Sequence, residues 1–307
     1  MRASRRARAI PRALALAFAC AWGGSACAGV PPPPPQSPPP RKEVRTDDVP
    51  LPGPSVPFDA CGDSPEGFED WLASFSQHAI AEGIPAELAG RALGTLEYDR
   101  EVIELDRAQR HAKKSFEEYV ASHVTASRVR RGRAMLTRHA ALLGKISERF
   151  GVPREILVAI WGLETDFGEN QGNTRSLRAL ATLAWDCRRA PRFRGELSSA
   201  LRLLQRGDLP LERMVGAWAG EIGQTQFLPS SWERFGIDFD GDGHIDLIGS
   251  SADALGSTAH YLAEHGWRAR EPYGPSTPNF AVLAEWNRSE TYRKTIVIFA
   301  SKLQGAK

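Results

Sequence analysis

Apolar residues recur every three to four positions from Pro65 onward, a period that predicts amphipathic helices. Convincing alternating strands are scarce, and only the stretch 295–299 is locally strand-like. The stripes that carry the helical period are Phe68, Trp71, Leu72, Phe75 and Ala79; Met135, Leu136, His139, Leu142, Leu143 and Ile146; Leu197, Ala200, Leu201 and Leu204; and Tyr292, Ile296, Phe299 and Leu303. The pattern therefore predicts a mainly α-helical protein with little β structure, in which His139 lies in the core.

The first 28 residues have the order of a secretory signal peptide. Five arginines with no acidic residue precede an apolar stretch from Ala13 to Trp22, and small residues follow. Ala26-Cys27-Ala28 fits ordinary cleavage, whereas Ser25-Ala26-Cys27 resembles the end of a lipoprotein box in which Cys27 is lipidated. Both alternatives predict export, and the second adds a membrane anchor.

Residues 29–60 predict a Pro-rich disordered linker, which leaves residues 61–307 as the folded domain. Of the 22 prolines, 13 fall at or before Pro57, and such runs form extended, semi-rigid polyproline. Removing the five arginines of the signal from 39 basic residues leaves 34 against 37 acidic residues, a formal net charge of −3. This balance argues against a dedicated nucleic-acid binder, which is normally strongly basic.

The cysteine count changes once the signal peptide is considered. Four cysteines in 307 residues exclude a disulfide-dense scaffold. If Cys20 and Cys27 are removed or lipidated, Cys61 and Cys187 remain, and an even pair in an oxidising compartment predicts a disulfide bond. The alternative is two unpaired thiols.

The predicted helix after Pro153 carries a carboxylate on its apolar face. Ile156, Ile160 and Glu164 are spaced i, i+4 and i+8, so they share one side of the helix. A carboxyl group that loses its water there has a raised pKa, and an acid protonated near neutral pH suits general acid catalysis. The alternative is a helix-terminal Glu164 that faces solvent or forms a salt bridge with Arg178.

The segment from Gly220 to Phe227 is rich in glycine, amide and aromatic residues, a mixture that suits a sugar-binding site, although an ordinary loop has the same composition. Glu221 is a second carboxylate in this segment.

The run DFDGDGHID resembles part of an EF-hand loop. Asp238, Asp240 and Asp242 occupy its first three alternate positions, and Gly243 permits the sharp turn. His244 offers its backbone carbonyl, and position 12, which normally holds a bidentate Glu, is a glycine. Asp253 completes the cage if the loop is longer, so the segment predicts a structural Ca²⁺ site, against an acidic turn without metal.

Taken in order, these segments resemble the lytic murein transglycosylase B family. The resemblance extends from about Phe68 to Leu303 and is carried by AIWGLETDFG, RALATLAWD, WAGEIGQTQFLPSSW, DFDGDGHIDL, ALGSTAHYLAEHGW and EWNRSETY. It implies a lysozyme-like catalytic core with an additional helical subdomain, located in the periplasm. The implied activity is non-hydrolytic cleavage of the MurNAc–GlcNAc β-1,4 bond of peptidoglycan glycan strands, which leaves 1,6-anhydromuramoyl ends and requires no cofactor for the chemistry.

The resemblance also assigns roles to residues. Glu164 matches the family's single catalytic acid/base. The implied glycan contacts are Arg188, Arg189, Gln226, Tyr261, Asn287 and Tyr292. The implied calcium ligands are Asp238, Asp240, Asp242, the carbonyl of His244 and Asp253. The chain departs from the pattern of many relatives at Glu221, His260 and Trp286.

Two other functions remain open from the sequence. A lysozyme-type hydrolase would deliver water to the sugar and needs either a positioned water or a second carboxylate, for which Glu221 and Asp166 are the nearby candidates. A calcium-stabilised, wall-binding lipoprotein without catalytic activity is the other, although a pure binder gains nothing from an acid on an apolar helix face.

Overall fold

A computed structural model describes residues 56–108 and 115–304. The predicted signal peptide (1–28), the lipidation site at Cys27 and most of the predicted linker (29–60) lie outside the described residues. None of the helices described is long and apolar enough to cross a membrane.

Within the described residues the chain forms 13 α-helices and two short strands, which confirms the mainly α prediction. The first six helices are α1 (Phe68–Ala81), α2 (Ala86–Leu93), α3 (Arg100–Ala108), α4 (Phe116–His123), α5 (Ala126–Arg138) and α6 (Ala140–Phe150). The others are α7 (Arg154–Thr165), α8 (Ser176–Trp185), α9 (Ala190–Arg206), α10 (Pro229–Phe235), α11 (Ser251–Glu264), α12 (Pro278–Trp286) and α13 (Glu290–Gln304). A 3₁₀-helix spans Leu211–Arg213, and the strands are β1 (Thr174–Arg175) and β2 (Val215–Gly216).

The helical periods of the sequence are reproduced with one exception. All five apolar residues of the first stripe are buried along α1, and the strand-like stretch 295–299 is helical within α13. The second stripe is divided, because the chain leaves helical geometry at His139 (φ −103°) between α5 and α6. The core assignment of His139 was therefore wrong: it is a partly exposed helix junction, with its ring edge-on to Trp161 at 5.5 Å.

The core consists of two hydrophobic clusters. One surrounds α1, α8 and α9 and contains Trp71 and Phe193, whereas the other surrounds α7 and α13 and contains Trp161. Tyr261 and Trp286 pack against both clusters. These two aromatic residues therefore mark the seam at which the two halves of the core meet.

Helix α7 is held tightly at both ends. Pro153 precedes its first residue, where a missing N–H costs nothing, and the chain leaves the helix at Asp166 in the left-handed region (φ 55°). Arg128 and Arg131 of α5 bind the Asp166 carboxylate, at 3.1 and 2.5 Å. A Cβ on Gly162 would lie within 3 Å of Phe167 and Phe299, so the glycine allows α7 to approach α13 closely.

A short β-like layer joins the segment before α8 to the segment after α9. Strands β1 and β2 are antiparallel, with Thr174 opposite Gly216, and isolated bridges join Gly216 to Ile222 and Ile222 to Phe227. A side chain at Gly216 would meet the carbonyl of residue 221, which explains why glycine is required there. We call residues 215–227 the β-turn segment.

Cys61 and Cys187 form a disulfide bond across 126 residues of sequence. Beside it, Gly62 pairs with Asp186 in a parallel bridge, and Trp185 Nε1 donates to the Ser64 carbonyl at 2.7 Å. The bond therefore fixes the start of the domain to the junction between α8 and α9. Closing so long a loop restricts the unfolded chain strongly.

Candidate active site

Glu164 lies in the last turn of α7, partly exposed at the seam between the two core clusters. Trp286 Nε1 donates a hydrogen bond to Glu164 Oε1 at 3.1 Å, and the hydroxyl of Tyr292 donates to the same oxygen. Trp286 ends α12 and Tyr292 lies in the first turn of α13, so the turn between these helices supplies both donors.

The surroundings of Glu164 favour its protonated form. Burial raises its pKa from 4.5 to about 7, against the opposing effect of the donors Tyr292 and Trp286, and the charge of Glu221 raises it further. The described residues offer Glu164 no salt bridge, and Arg178, the predicted alternative partner, pairs with Asp99 at 3.2 Å. A carboxyl group in this state can both give and accept a proton near neutral pH.

Tyr292 is well suited to donate a hydrogen bond to Glu164. Burial raises its pKa well above 10, and the neighbouring charge of Glu164 adds to the effect. The pKa of Tyr119, on α4, is also raised, by burial and then by Glu164. Both phenols therefore stay neutral at physiological pH, and Tyr292 keeps its proton available to the carboxylate.

An aromatic cluster lies beside this carboxyl group. The Trp286 ring is edge-on to Phe227 at 5.4 Å and to Tyr261 at 5.3 Å, and Tyr261 is edge-on to Phe235 at 4.8 Å. The Tyr261 hydroxyl donates to the Glu285 carbonyl at 2.8 Å. Phe227 and Phe235 are buried, and the partly exposed rings of Tyr261 and Trp286 suit stacking against sugar rings.

The β-turn segment is tied to the end of α7. Thr165 Oγ1 donates to the Gln224 carbonyl, and the N–H of Gly168 donates to Thr165 Oγ1 at 2.9 Å. Gln226, in the left-handed region (φ 56°), donates through Nε2 to the carbonyls of Gln171 and Gly223 at 3.1 and 2.9 Å. Gln226, one of the predicted glycan contacts, therefore also holds the β-turn segment in its conformation.

The remaining predicted glycan contacts bond residues other than Glu164. Arg188 and Arg189 both pair with the fully buried Asp106 of α3. Asn287 follows α12 and accepts the N–H of Ser289 at 2.9 Å. Of the six predicted contacts, only Tyr292 bonds Glu164 directly.

The acidic loop between α10 and α11 brings together three of the five predicted calcium ligands. Oxygens of Asp238, Asp240 and Asp253 lie within 4.8 Å of one another. Asp242 is not part of this group, and its carboxylate accepts the N–H of His244 at 2.8 Å. Three converging carboxylates are the hard oxygen donors that Ca²⁺ prefers, so these residues fit that ion.

Backbone groups shape the acidic loop. Asp238 accepts N–H groups from Gly241 and Gly243 at 2.6 and 2.8 Å, and the Gly243 bond is the main cause that lowers its pKa. Asp253 accepts the N–H groups of Phe239 and Asp246 at 2.8 and 2.9 Å. The loop is therefore folded around its carboxylates by its own backbone.

Two residues near Glu164 were not predicted as part of the site. Trp286 is noted in the sequence only as a departure from the family pattern, and Tyr119 carries no motif. The available signal for Trp286 was its place at the end of an apolar run, just before the polar segment 287–290. Tyr119 reaches Glu164 from a distant helix, which no local pattern reveals.

Comparison with known proteins places this geometry in a family. A family model described as "Transglycosylase SLT domain" matches residues 67–277. The chain is 41% identical over 151 residues to "Membrane-bound lytic murein transglycosylase B" of Escherichia coli (strain K12). That alignment covers 48% of this chain and 41% of the relative, so the chain spans less than half the length of this curated relative.

Solved structures are similar over a larger part of the chain. SltB3 from Pseudomonas aeruginosa, in complex with NAG-anhNAM-pentapeptide, has a TM-score of 0.73 at 32% identity, covering 78% of this chain and 80% of that one. Escherichia coli Slt35, in complex with calcium, shares the fold, with a TM-score of 0.69 at 24% identity over 82% of this chain and 97% of that one. The chain belongs to the transglycosylase SLT-domain family.

Proposed function

We propose that this protein is a lytic transglycosylase that cleaves the MurNAc–GlcNAc β-1,4 bond of peptidoglycan without water, with Glu164 as its single acid/base. The observation that carries the proposal is a carboxyl group at the end of α7 that accepts hydrogen bonds from Trp286 and Tyr292 and has no salt bridge in the described structure. Its burial raises its pKa to about 7, which suits an acid that also acts as a base. Family membership and the anhydromuramoyl ligand of the SltB3 complex support the reaction type.

Glu164 acts twice in the proposed reaction, first as an acid and then as a base. Protonated Glu164 gives its proton to the glycosidic oxygen, the C1–O bond breaks, and the substrate's 2-acetamido group stabilises C1 from the opposite face. Glu164, now a carboxylate, takes the proton of the muramoyl C6 hydroxyl as that oxygen bonds to C1. The product carries a 1,6-anhydro ring, Glu164 is protonated again, and no water is consumed.

One alternative for a hydrolytic reaction is weakened by the fold. Asp166 is a candidate second carboxylate by sequence, but its side chain is bound by two arginines of α5. These two partners hold the carboxylate against α5. Most glycosidases use two carboxylates, and these ion pairs argue against Asp166 as the second one here.

We place the glycan along the aromatic cluster and the β-turn segment, with contacts at Tyr261, Gln226, Asn287 and Tyr292. Arg188 and Arg189 extend this surface with positive charge, which suits the carboxylates of stem peptides. The arginines share Asp106, so they are already held in place before a ligand arrives.

Structural Ca²⁺ belongs to the proposal as well. Asp238, Asp240 and Asp253 would hold the ion, with Asp242 and the His244 carbonyl as further ligands. The ion would fix the loop between α10 and α11 and would take no part in the chemistry. The converging carboxylates support this assignment, and the calcium complex of Slt35 is consistent with it.

The proposed location is the periplasm, with residues 1–28 as the export signal and a lipidated Cys27 as the anchor. The name of the Escherichia coli relative, which describes it as membrane-bound, supports this assignment. Metabolic labelling with a palmitate analogue, in the wild type and in Cys27→Ala, tests the anchor. Label retained in the variant would contradict it.

Product analysis in ¹⁸O-labelled water tests the reaction. Purified peptidoglycan is digested and the released fragments are weighed by mass spectrometry. Anhydromuramoyl ends without ¹⁸O are expected, since no water enters the product. Reducing ends that carry ¹⁸O would make the protein a hydrolase, and binding without any product would favour the non-catalytic wall-binding function.

A further inference from the structure

Gln224 of the β-turn segment lies between α7 and the acidic loop. It is almost fully buried, and its N–H donates to the Leu247 carbonyl at 2.9 Å. Its Nε2 donates to the Ile248 carbonyl at 3.1 Å, and its Oε1 accepts the hydroxyl of Ser251 at 3.3 Å. Its carbonyl accepts the hydroxyl of Thr165. All four polar groups of Gln224 are therefore bonded, and they join the end of α7 to the acidic loop and to the start of α11.

Thr165 holds the α7 side of this connection. It follows Glu164 directly in the last turn of the helix and is buried. Its hydroxyl donates to the Gln224 carbonyl and accepts the N–H of Gly168 at 2.9 Å, and its own carbonyl accepts the N–H of Asn170 at 2.8 Å. These bonds fix the point at which the chain leaves α7, and Glu164 lies one residue before it.

The other side of the connection reaches the converging carboxylates. Asp253, one of the three, accepts the N–H of Asp246 at 2.9 Å. Oδ1 of Asp246 accepts the N–H groups of Ile248 and Gly249 at 2.9 and 2.8 Å, and Leu247 between them is fully buried. The two carbonyls that Gln224 binds therefore lie within two residues of a hydrogen bond to Asp253.

The segments on the two sides of Gln224 are packed closely. A Cβ on Gly168 would lie 3.0 Å from Gln224 Oε1, and a Cβ on Gly223 would lie 2.6 Å from the Leu247 carbonyl. Both glycines are in the left-handed region, at φ 85° and 84°. Close-packed interiors transmit displacements instead of absorbing them, so a shift of the chain at Leu247 reaches Gln224.

We propose that Gln224 is a positioning residue: its hydrogen bonds make the placement of Glu164 depend on the order of the acidic loop. Asp253 fixes Asp246 and the carbonyls that follow it, and Gln224 carries this order to Thr165 at the end of α7. Ca²⁺ bound at the loop would then affect the position of Glu164 and not the chemistry. The catalytic consequence rests on the proposed function and on the proposed calcium site, whereas the connection is a property of the protein alone.

The indole N–H of Trp286 reports the placement of Glu164 without any substrate, because it donates to Glu164 Oε1 at 3.1 Å. Its ¹H–¹⁵N resonance in the full-length protein is assigned by its loss in Trp286→Phe. Addition of Ca²⁺ after treatment with EDTA should shift this resonance. The indole of Trp71, which donates to the Phe58 carbonyl beside α1, is the internal control and should not respond. A Trp286 resonance that stays in place while calorimetry shows Ca²⁺ binding would overturn the proposal.

Two substitutions of Thr165 test whether the response passes through its hydroxyl. Thr165→Val keeps the shape and removes the hydroxyl, so the Ca²⁺-dependent shift of Trp286 should be lost, whereas Thr165→Ser should retain it. Coupling between two sites is reciprocal, so Thr165→Val should also raise the Kd for Ca²⁺ although Thr165 is not a ligand. The loss of one hydrogen bond predicts a change of about fivefold. An unchanged shift or an unchanged Kd in Thr165→Val would overturn the proposal.

A substitution of Gln224 tests the side of the connection that faces the acidic loop. Gln224→Leu removes the bonds to Ile248 and Ser251 and keeps the hydroxyl of Thr165, so it should reduce the shift of Trp286 in the same way. Gln205→Leu, which removes an exposed amide bound to the Gly83 carbonyl, is the matched control and should leave the shift unchanged. A full response in Gln224→Leu would overturn the role of Gln224.

The kinetics of glycan cleavage link the connection to catalysis. Gln224→Leu should lower kcat by about tenfold and change KM little, because a misplaced catalytic group costs rate more than binding. Removal of Ca²⁺ should lower kcat of the wild type, and the variant should lose less. A change in KM alone would remove the catalytic consequence and leave the connection. Absence of anhydromuramoyl products from the wild type would instead remove the proposed function, and absence of Ca²⁺ binding would overturn the calcium site together with this proposal.

Discussion

The protein contains two carboxyl groups, those of Glu164 and Asp238, whose surroundings favour opposite protonation states. Glu164 is surrounded by aromatic side chains, with two neutral donors on one oxygen, and its pKa is raised to about 7 by burial. Asp238 lies at an exposed turn where three backbone N–H groups approach it, and its pKa is lowered, chiefly by the N–H of Gly243. The first group is suited to holding a proton, and the second to holding a cation.

The difference shows that residue type alone does not decide the role of an acid. Loss of water disfavours the charged form, whereas several N–H groups favour it. The fold supplies the first environment through the packing of α7 against α13, and the second through the tight turns of the acidic loop. Each region can therefore be disturbed by its own substitutions, and the expected effects differ in kind.

The largest expected effect is on turnover. Glu164→Gln preserves the size of the side chain but cannot donate a proton, so the rate of fragment release should fall by about 10³-fold. Release of soluble fragments from purified peptidoglycan measures the rate. Glu148→Gln, an exposed change on α6, is the control and should retain full activity. Substantial activity in Glu164→Gln would place the acid elsewhere.

The same substitution should change stability with pH. Unfolded Glu164 ionises near 4.5 and the folded protein near 7, so the folded state binds more protons between these values and stability falls as pH rises. Glu164→Gln removes this cost and should raise the free energy of unfolding above pH 7 by at most about 3 kcal/mol. Urea unfolding at pH 4 and pH 8 measures it, and an equal difference at both pH values would contradict the dehydration of Glu164.

The acidic loop should respond to calcium. Ca²⁺ at about 100 times its Kd should stabilise the wild type by about 2.7 kcal/mol. Asp240→Asn should lose most of this gain, because one of the three converging carboxylates is removed. Thermal unfolding with Ca²⁺ and with EDTA measures the effect. A variant that gains as much from Ca²⁺ as the wild type would exclude Asp240 as a ligand.

A smaller effect is expected from the donor to Glu164. Tyr292→Phe removes a hydrogen bond that lowers the pKa of Glu164, so that pKa should rise by about one unit. The alkaline limb of the pH–rate profile should then move to higher pH. Tyr273→Phe, which removes a hydroxyl bound to Gln304, is the control. A downward shift in Tyr292→Phe would contradict the role of this donor.

The helices and the position of Glu164 were predictable because they depend on local periods. The i, i+4, i+8 spacing places Glu164 on the buried side of α7, and the alternating aspartates mark the acidic loop. The break at His139 was not predictable, because the apolar stripe continues through it and only the packing of α5 against α7 and of α6 against α11 divides it.

The surroundings of Glu164 depend on distant parts of the chain. Tyr292 and Trp286 lie more than 120 residues from Glu164 in sequence. Asp106 binds Arg188 and Arg189, which lie more than 80 residues further along the chain. The sequence predicts a carboxylate on an apolar face, but only the tertiary structure determines whether a cation or a phenol meets it.

The pH dependence of kcat/KM for glycan cleavage tests the central claim most directly. Because Glu164 must be protonated to begin the reaction, kcat/KM should fall by half near pH 7 and decline tenfold per unit above it. This position follows from the dehydrated setting of Glu164 and its pKa of about 7. A decline that begins near pH 4.5, the ordinary value for a glutamate, would contradict the account.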